Sequence, residues 1–272
     1  MYESYWQLET KPFENTVDSR FYYPGESQQA AALKLRYAIE NRRAAALLAG
    51  GSGVGKTLLA QALLRQLGEK FAPRVHLVFP QMPADQLLTY LADQIAGTSS
   101  AGTATTQQSL RRIEQRLLEN ARAGRHAIVV IDEAHLLRES RTLETIRLLL
   151  NFEHQAQPVM TLLLVGQTAL TLAVERMPEL EERLAAKCQL RRLSVAETMG
   201  YVQHRLSAAG AQRPIFDDAA LEIIHQHTHG VPRRINRLCD LALLVGFAEE
   251  VASIGSGHIE AVSEELVGAA AE

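Results

Sequence analysis

The stretch Gly50-Gly51-Ser52-Gly53-Val54-Gly55-Lys56-Thr57 fits the pattern G-x-x-x-x-G-K-[ST], and its setting constrains the fold as much as the pattern itself. It follows a short apolar run, Ala44 to Ala49, and opens a segment of helical spacing, Thr57 to Leu67. Such a strand, turn and helix is an anion cradle. Glycines let the backbone curl until successive N–H groups face phosphate oxygens, while the helix presents its partly positive N-terminus. In that geometry Lys56 lies against the β- and γ-phosphates and the Thr57 hydroxyl supplies an oxygen to Mg2+. The segment from Gly50 through Leu58 is therefore the expected ATP-binding loop.

A second motif belongs with the first. Ala127-Ile128-Val129-Val130-Ile131 is a β-branched strand that ends in Asp132-Glu133, which puts two carboxylates at the edge where open α/β sheets bind ligands. Asp132 is expected to hold Mg2+ through water, and Glu133 to orient and polarise the attacking water. The four residues Asp132 to His135 also spell a helicase tetrapeptide. Too little chain follows for a second helicase lobe, so His135 is read as the start of the next loop.

Three further residues have two readings each. Strand Val159 to Val165 ends in Gly166-Gln167, and the Gln167 amide either reports on the γ-phosphate or caps a loop. Arg183 precedes a short strand, Cys188 to Leu190, and either reaches a neighbouring subunit's nucleotide or pairs with Glu179 on a helix surface. Pro232 suits the first turn of a helix, which sets Arg233 at the start of a lid facing the nucleotide or on a plain surface. His225, His227 and His229 have no carboxylate or cysteine close in sequence and read as a histidine-rich helix end rather than a metal site.

The wider pattern predicts an α/β fold, a parallel-sheet sandwich followed by a small all-helical lid. Helical and strand periodicities alternate from Gln28 to Leu190, with helices over Gln28 to Asn41, Pro83 to Ile95, Gln107 to Ala123 and Glu139 to His154, and a strand over Arg74 to Phe79. Gly97 to Thr106 reads as a flexible loop. Ser194-Val195-Ala196-Glu197 is a capping box, and only helical spacing follows it, in segments near 195 to 209, 217 to 228, 232 to 249 and 256 to 267. Residues 1 to 25 carry irregular aromatics and two prolines and read as an ordered, extended arm. The expected domains are thus 1–25, 26–192 and 193–272.

Composition bounds the rest. A net charge of −3 over 272 residues argues against a surface coated for nucleic acid, although arginines cluster at Arg42-Arg43, Arg111-Arg112, Arg122 with Arg125, and Arg233-Arg234. No apolar run reaches the length of a membrane span, and Met1 to Trp6 lacks the basic and apolar regions of a signal peptide, which gives a cytoplasmic expectation. Cys188 and Cys239 read as buried free thiols.

Several of these residues occur together in a known family. Tyr5-Trp6-x-Leu8, Lys11-Pro12-Phe13, Arg20-Phe21-Tyr22-Tyr23-Pro24, Arg36-Tyr37-Ala38-Ile39-Glu40, Val165-Gly166-Gln167 and Gly230-Val231-Pro232-Arg233-Arg234-Ile235-Asn236 resemble the ExeA/GspA group of AAA+ secretion ATPases. The resemblance implies ATP hydrolysis with Mg2+, a ring or filament of like subunits, Gln167 as first sensor, Arg183 as arginine finger and Arg233 as second sensor. It also implies a role in assembling a secretion or envelope complex, in the cytoplasm or at the inner-membrane face through a partner. The membrane helix and peptidoglycan-binding segment expected after such a module do not follow here, so the chain is an excised domain or a stand-alone relative. Two alternatives share most of these motifs: a DNA-binding transposition regulator of the TniB/TnsC type, and a nucleotide-gated scaffold with little turnover. The backbone near Phe13 and Tyr23 is expected to frame the adenine base.

Overall fold

A computed structural model of the chain describes residues 1–15, 18–98, 104–137 and 140–268. These residues form two compact units, one of Ser27–Ser52 with Leu59–Leu190, the other of Met1–Glu26, Gly53–Leu58 and Arg191–Glu272.

The first unit is built on a five-stranded parallel sheet. Its strands are β1 (Ala45–Gly50), β2 (Arg74–Leu77), β3 (Ala127–Ile131), β6 (Met160–Gly166) and β7 (Leu184–Leu190), in the order β2-β3-β6-β1-β7. Every residue of β1, β3 and β6 is buried, the mark of central strands covered on both faces. Around the sheet lie α1 (Glu26–Glu40), α2 (Lys56–Gln66), α3 (Ala84–Ala96), α4 (Thr106–Arg122) and α5 (Ser140–Leu149). Leu47, Val129, Ile131, Leu162 and Leu164 share one core with Leu87, Leu88 and Leu91 of α3, Ile113 and Leu117 of α4, and Ile146 of α5. The alternate residues Leu48, Val130 and Val165 point the other way and are equally buried. On that face Cys188 of β7, in register with Leu48, meets the Ala31 carbonyl of α1. Both cysteines are buried free thiols.

Two expectations are corrected in this unit. The helix predicted to reach His154 stops at Leu149, and β4 (Glu153–His154) and β5 (Gln157–Pro158) form a tight hairpin. Its two-residue loop, Gln155-Ala156, holds both residues at positive φ, 52° and 58°, the geometry of a type I′ turn without the glycine that would have announced it. The last strand is longer than predicted. Residues 184–187 alternate between half-buried and exposed at the sheet edge, and only Cys188 and Leu190 are buried. Two short helices, α6 (Ala169–Glu175) and α7 (Pro178–Glu181), went unread; they bury Leu170, Val174 and Leu180 in the same core. The central residues of the predicted flexible loop, 99–103, lie outside the described residues.

In the second unit α8 (Val195–Ala208), α9 (Asp218–Thr228), α10 (Pro232–Ala248) and α11 (Ser256–Gly268) follow the predicted segments closely. The Ser194 capping box forms in both directions, and Asp217 caps α9 by accepting from Ala220 N. The N-terminal arm belongs to this unit and is not extended at its start. Trp6 N bonds to Tyr2 O and Leu8 N to Glu3 O, so the chain coils into a turn with Gln7 at φ 56°. Its aromatics complete the helical core: Trp6 is fully buried and donates its indole N–H to Leu243 O at 2.9 Å. Phe13 lies edge-on to Phe216, and Tyr23 edge-on to Tyr201.

Candidate functional site

The glycine-rich loop is shaped by two left-handed residues, Gly53 at φ +76° and Gly55 at φ +95°, conformations an L side chain rarely adopts. Helix α2 starts at Lys56, so the N–H groups of its first turn lie immediately after the loop. Val54 is buried beneath it, and Lys56 is 6% exposed. In the helical unit Arg233 N donates to Gly53 O at 3.3 Å. A Cβ on Gly53 would stand 2.9 Å from Arg233 Cβ and 3.2 Å from Val231 Cγ1, so the start of α10 packs directly on the loop backbone. A cavity of about 790 Å3 in the same unit is lined by Phe13, Glu14 and Asn15 of the arm and by Arg233, Asn236 and Arg237 of α10. Tyr23, paired in prediction with Phe13, instead packs on Gly200, Tyr201 and His204.

The sheet brings the other predicted residues to one edge. The carboxyl ends of β1, β6 and β3 are neighbours, so Gly50-Gly51-Ser52, Gly166-Gln167 and Asp132-Glu133 leave the sheet side by side. Asp132 is 1% exposed; its N donates to Leu77 O, and its Oδ1 accepts from Glu133 N, both at 2.8 Å. Glu133 is left-handed at φ 49°, a strained state for a side chain of its size. That turn starts the 3₁₀ segment Ala134–Leu136, closed by Leu136 N to Glu133 O at 2.8 Å.

Two histidines at this edge escaped the sequence reading. His76 of β2 stands 3.5 Å from Asp132 Oδ2, beyond a good hydrogen bond, and its Nε2 is buried without a partner. His135, read from sequence as merely opening a loop, has Nδ1 3.2 Å from Glu133 Oε2 and 3.4 Å from Gln167 N. Glu133 Oε2 is likewise a buried atom with no hydrogen-bond partner. For His76 the signal was its pairing register, His76 with Val130 two residues before Asp132, which no single strand reveals.

The buried Asp132 carboxylate offers only oxygen donors, which suit a hard ion such as Mg2+, and an orphaned Glu133 oxygen suits a group that accepts a proton from water. Arg183 is elsewhere. It precedes β7 at the amino edge of the sheet, donates to Asn151 Oδ1 at 2.6 Å, and lines a cavity of about 690 Å3 with Arg42 and Arg43. An adjoining cavity of about 220 Å3 is lined by Arg42, Arg122, Arg125, His126 and His154, with no acidic residue among its described lining. Burial, and secondly the charge of Arg42, push the His126 imidazole down to about 4. The three histidines of α9 and its cap are separately engaged: His225 with Thr198, His227 with Ser263, and His229 at the left-handed C-cap.

Comparison with known proteins agrees with this geometry. Residues 39–174 match the family model described as AAA domain. Over 98% of its length the chain is 32% identical to general secretion pathway protein A of Aeromonas hydrophila, of which it spans 49%. Among solved structures, Cdc6p from Pyrobaculum aerophilum aligns at TM-score 0.74 and 16% identity over 93% of this chain and 70% of its own. The ORC2 protein of Aeropyrum pernix gives 0.73 at 16% identity, covering 94% and 71%. The Thermotoga maritima RuvB branch migration motor gives 0.62 at 20% identity, covering 94% and 74%, and at such identities the likeness is one of fold. The chain belongs to the AAA family of P-loop nucleotide-binding proteins and is similar, within it, to the ExeA/GspA-like AAA+ ATPases.

Proposed function

We propose that this AAA+ module binds ATP with Mg2+ and hydrolyses it, coupling nucleotide state to the assembly of a larger complex. The observation that carries this reading is the sheet edge, where the loop after β1, Asp132-Glu133 after β3 and Gln167 after β6 emerge side by side. The backbone of Gly50, Gly51, Ser52, Gly53, Val54 and Gly55 cradles the phosphates, with Lys56 against the β- and γ-groups. Thr57 and Asp132 would hold Mg2+, which neutralises charge on the phosphate oxygens. Glu133 takes the proton from the attacking water, and Gln167 orients toward the γ-phosphate. The cavity between the arm and α10, with Phe13 on one side and Arg233 on the other, accepts the nucleoside, with Leu58 in the first turn behind the phosphates.

Arg183, at the opposite edge of the sheet and half-buried, serves a neighbouring subunit rather than its own nucleotide, as expected of a ring or filament. Similarity to general secretion pathway protein A, half of which this chain spans, supports a secretion or envelope complex as the load. Among the described residues no helix is long and apolar enough to cross a membrane, so any inner-membrane location runs through a partner or another segment.

The test is phosphate release by the intact chain beside Lys56→Ala and Glu133→Gln, with light scattering in each nucleotide state. Lys56→Ala should lose nucleotide binding, and Glu133→Gln should bind ATP but turn over roughly 10² to 10⁴-fold more slowly. Equal, near-zero rates in the wild type and Glu133→Gln with tight ATP binding would make the protein a nucleotide-gated scaffold. A second reading, DNA binding, is favoured by the acid-free cavity of Arg42, Arg122, Arg125, His126 and His154. It requires an affinity for duplex DNA that falls steeply with salt and weakens in Arg122→Ala and Arg125→Ala.

A further inference from the structure

Within the helical unit, Arg205, Tyr201, Asn236 and Asn15 form one chain of side-chain hydrogen bonds, and the first three are buried at 2%, 6% and 4% exposure. Arg205 Nη1 donates to Tyr201 Oη at 3.3 Å, Tyr201 Oη to Asn236 Oδ1 at 2.7 Å, and Asn236 Nδ2 to Asn15 Oδ1 at 2.9 Å. A guanidinium has donors and no acceptor, so it sets the direction of every bond after it. With the Asn236 amide turned over, Tyr201 would receive a hydrogen from both neighbours and its own would be stranded in a buried site, at the cost of an unmet polar group. Tyr201 therefore donates to Asn236, and Asn236 to Asn15. Asn15 has spent its oxygen and keeps its two Nδ2 hydrogens, which meet no acceptor among the described residues.

The same guanidinium holds the arm. Its Nε and Nη2 donate to Pro12 O and Glu14 O, which fixes the backbone on either side of Phe13 and just ahead of Asn15. Asn15 and Asn236 line the cavity of about 790 Å3, together with Arg233, whose N bonds to Gly53 O of the glycine loop. The cavity carboxylates, Glu14 and Asp240, accept hydrogens and give none, and Asp240 already takes the Tyr2 hydroxyl. Asn15 is thus a neutral donor held in one orientation beside the loop. We propose that Asn15 reads the base of the nucleotide by giving an Nδ2 hydrogen to a ring nitrogen of the purine, and that Arg205, through Tyr201 and Asn236, keeps it a donor. This rests on the cavity accepting the nucleoside. An Asn15 amide turned the other way would set its oxygen against the lone pair of that ring nitrogen.

The experiment measures equilibrium binding of ATP, 1-deaza-ATP and 7-deaza-ATP, with Mg2+, to the full chain in wild type, Asn15→Ala, Asn236→Asp and Lys56→Ala. Each analogue replaces one accepting ring nitrogen by C–H. In wild type one of the two analogues should bind about three- to tenfold more weakly than ATP, the loss of a single neutral hydrogen bond. That penalty should vanish in Asn15→Ala. It should vanish also in Asn236→Asp, whose carboxylate keeps the bond from Tyr201 but has no hydrogen for Asn15, so the Asn15 amide turns over and shows its oxygen to the cavity. A residue that only supports the arm would weaken all three nucleotides alike and leave their ratio unchanged. The same ratio in wild type and Asn15→Ala overturns the base-reading role, and a full wild-type ratio in Asn236→Asp overturns the relay. Tight ATP binding with no penalty for either analogue removes the Asn15 role alone, whereas wild type that binds ATP no better than Lys56→Ala defeats the nucleotide reading and this proposal with it.

Discussion

Replacing Gly53 by alanine separates two costs that Gly55→Ala does not combine. Both residues sit at positive φ, +76° and +95°, so alanine at either forces an L side chain into a left-handed conformation at roughly 1 to 2 kcal/mol. Only at Gly53 does the new Cβ also meet atoms that cannot swing aside, Arg233 Cβ at 2.9 Å and Val231 Cγ1 at 3.2 Å; at Gly55 nothing lies within 4 Å. Arg233 Cβ is attached to the first turn of α10, which starts at Pro232, so the clash must displace backbone and adds about 1 to 3 kcal/mol. Alanine stiffens the unfolded chain by a few tenths of a kcal/mol to about 1 in both variants, which cancels in the comparison. The assay is urea unfolding without nucleotide, followed by the fluorescence of Trp6, the single tryptophan, buried in the same unit as Gly53 and Arg233. Gly53→Ala should be less stable than Gly55→Ala by at least about 1 kcal/mol. A Gly55→Ala protein as unstable as Gly53→Ala, or more so, would refute the packing of α10 on the loop.

Three other expectations follow from buried groups. The His126 ring accepts no help with a charge: Thr161 spends its one hydroxyl proton on Arg43 O at 2.6 Å and so can only accept from Nε2–H at 2.8 Å. With the folded pKa down at about 4 and an unfolded value near 6.5, the unfolded state binds more protons, so stability is full above about pH 6.5 and falls toward pH 4, by about 3 kcal/mol at most; urea midpoints of wild type and His126→Gln across that range should converge at low pH. Arg205 is buried and has no ion pair with a carboxylate among the described residues, donating to Pro12 O at 2.5 Å and Glu14 O at 2.6 Å and stacked 4.6 Å over Phe21. Arg205→Met orphans both carbonyls and should cost about 2 to 4 kcal/mol in Trp6-monitored unfolding, with the arm cut faster by protease. Gly166→Ala would bring a Cβ 2.8 Å from Leu170 Cδ2, which can turn away, and 3.1 Å from His135 N, which cannot; turnover should drop several-fold with equilibrium ATP affinity unchanged.

The nucleotide-facing half of this architecture could be read before the coordinates because its signals are local. A glycine loop between a strand and a helix, a β-branched strand ending in Asp132-Glu133, and the Ser194 capping box each sit within a dozen residues. What stayed hidden depends on neighbours across the sheet. His76 comes within 3.5 Å of Asp132 only because β2 pairs with β3, and His135 meets Gln167 N only because β6 lies alongside β3. The hairpin at Glu153–Pro158 was missed for another reason, since Gln155 and Ala156 bear positive φ with no sequence mark of it. The arm's aromatics were visible, but irregular spacing cannot say which core they fill. Trp6, Phe13 and Phe21 turned out to complete the helical core with Tyr201, Leu206 and Leu243.

That the loop residues Gly53–Leu58 group with the arm and α8 to α11 changes how a lid substitution should be interpreted. Arg233 touches Gly53 through its backbone N–H and its Cβ, while its guanidinium is exposed. Arg233→Ala keeps both contacts and removes only the guanidinium. If Arg233 serves the phosphates, Arg233→Ala must lower ATP affinity or turnover while leaving the nucleotide-free stability of the helical unit within about 0.5 kcal/mol of wild type. Arg233→Pro removes the N–H to Gly53 O and should destabilise the unit even with no nucleotide present. An Arg233→Ala protein that loses stability but binds and turns over ATP normally would make this residue a support for the loop rather than a sensor of what the loop holds.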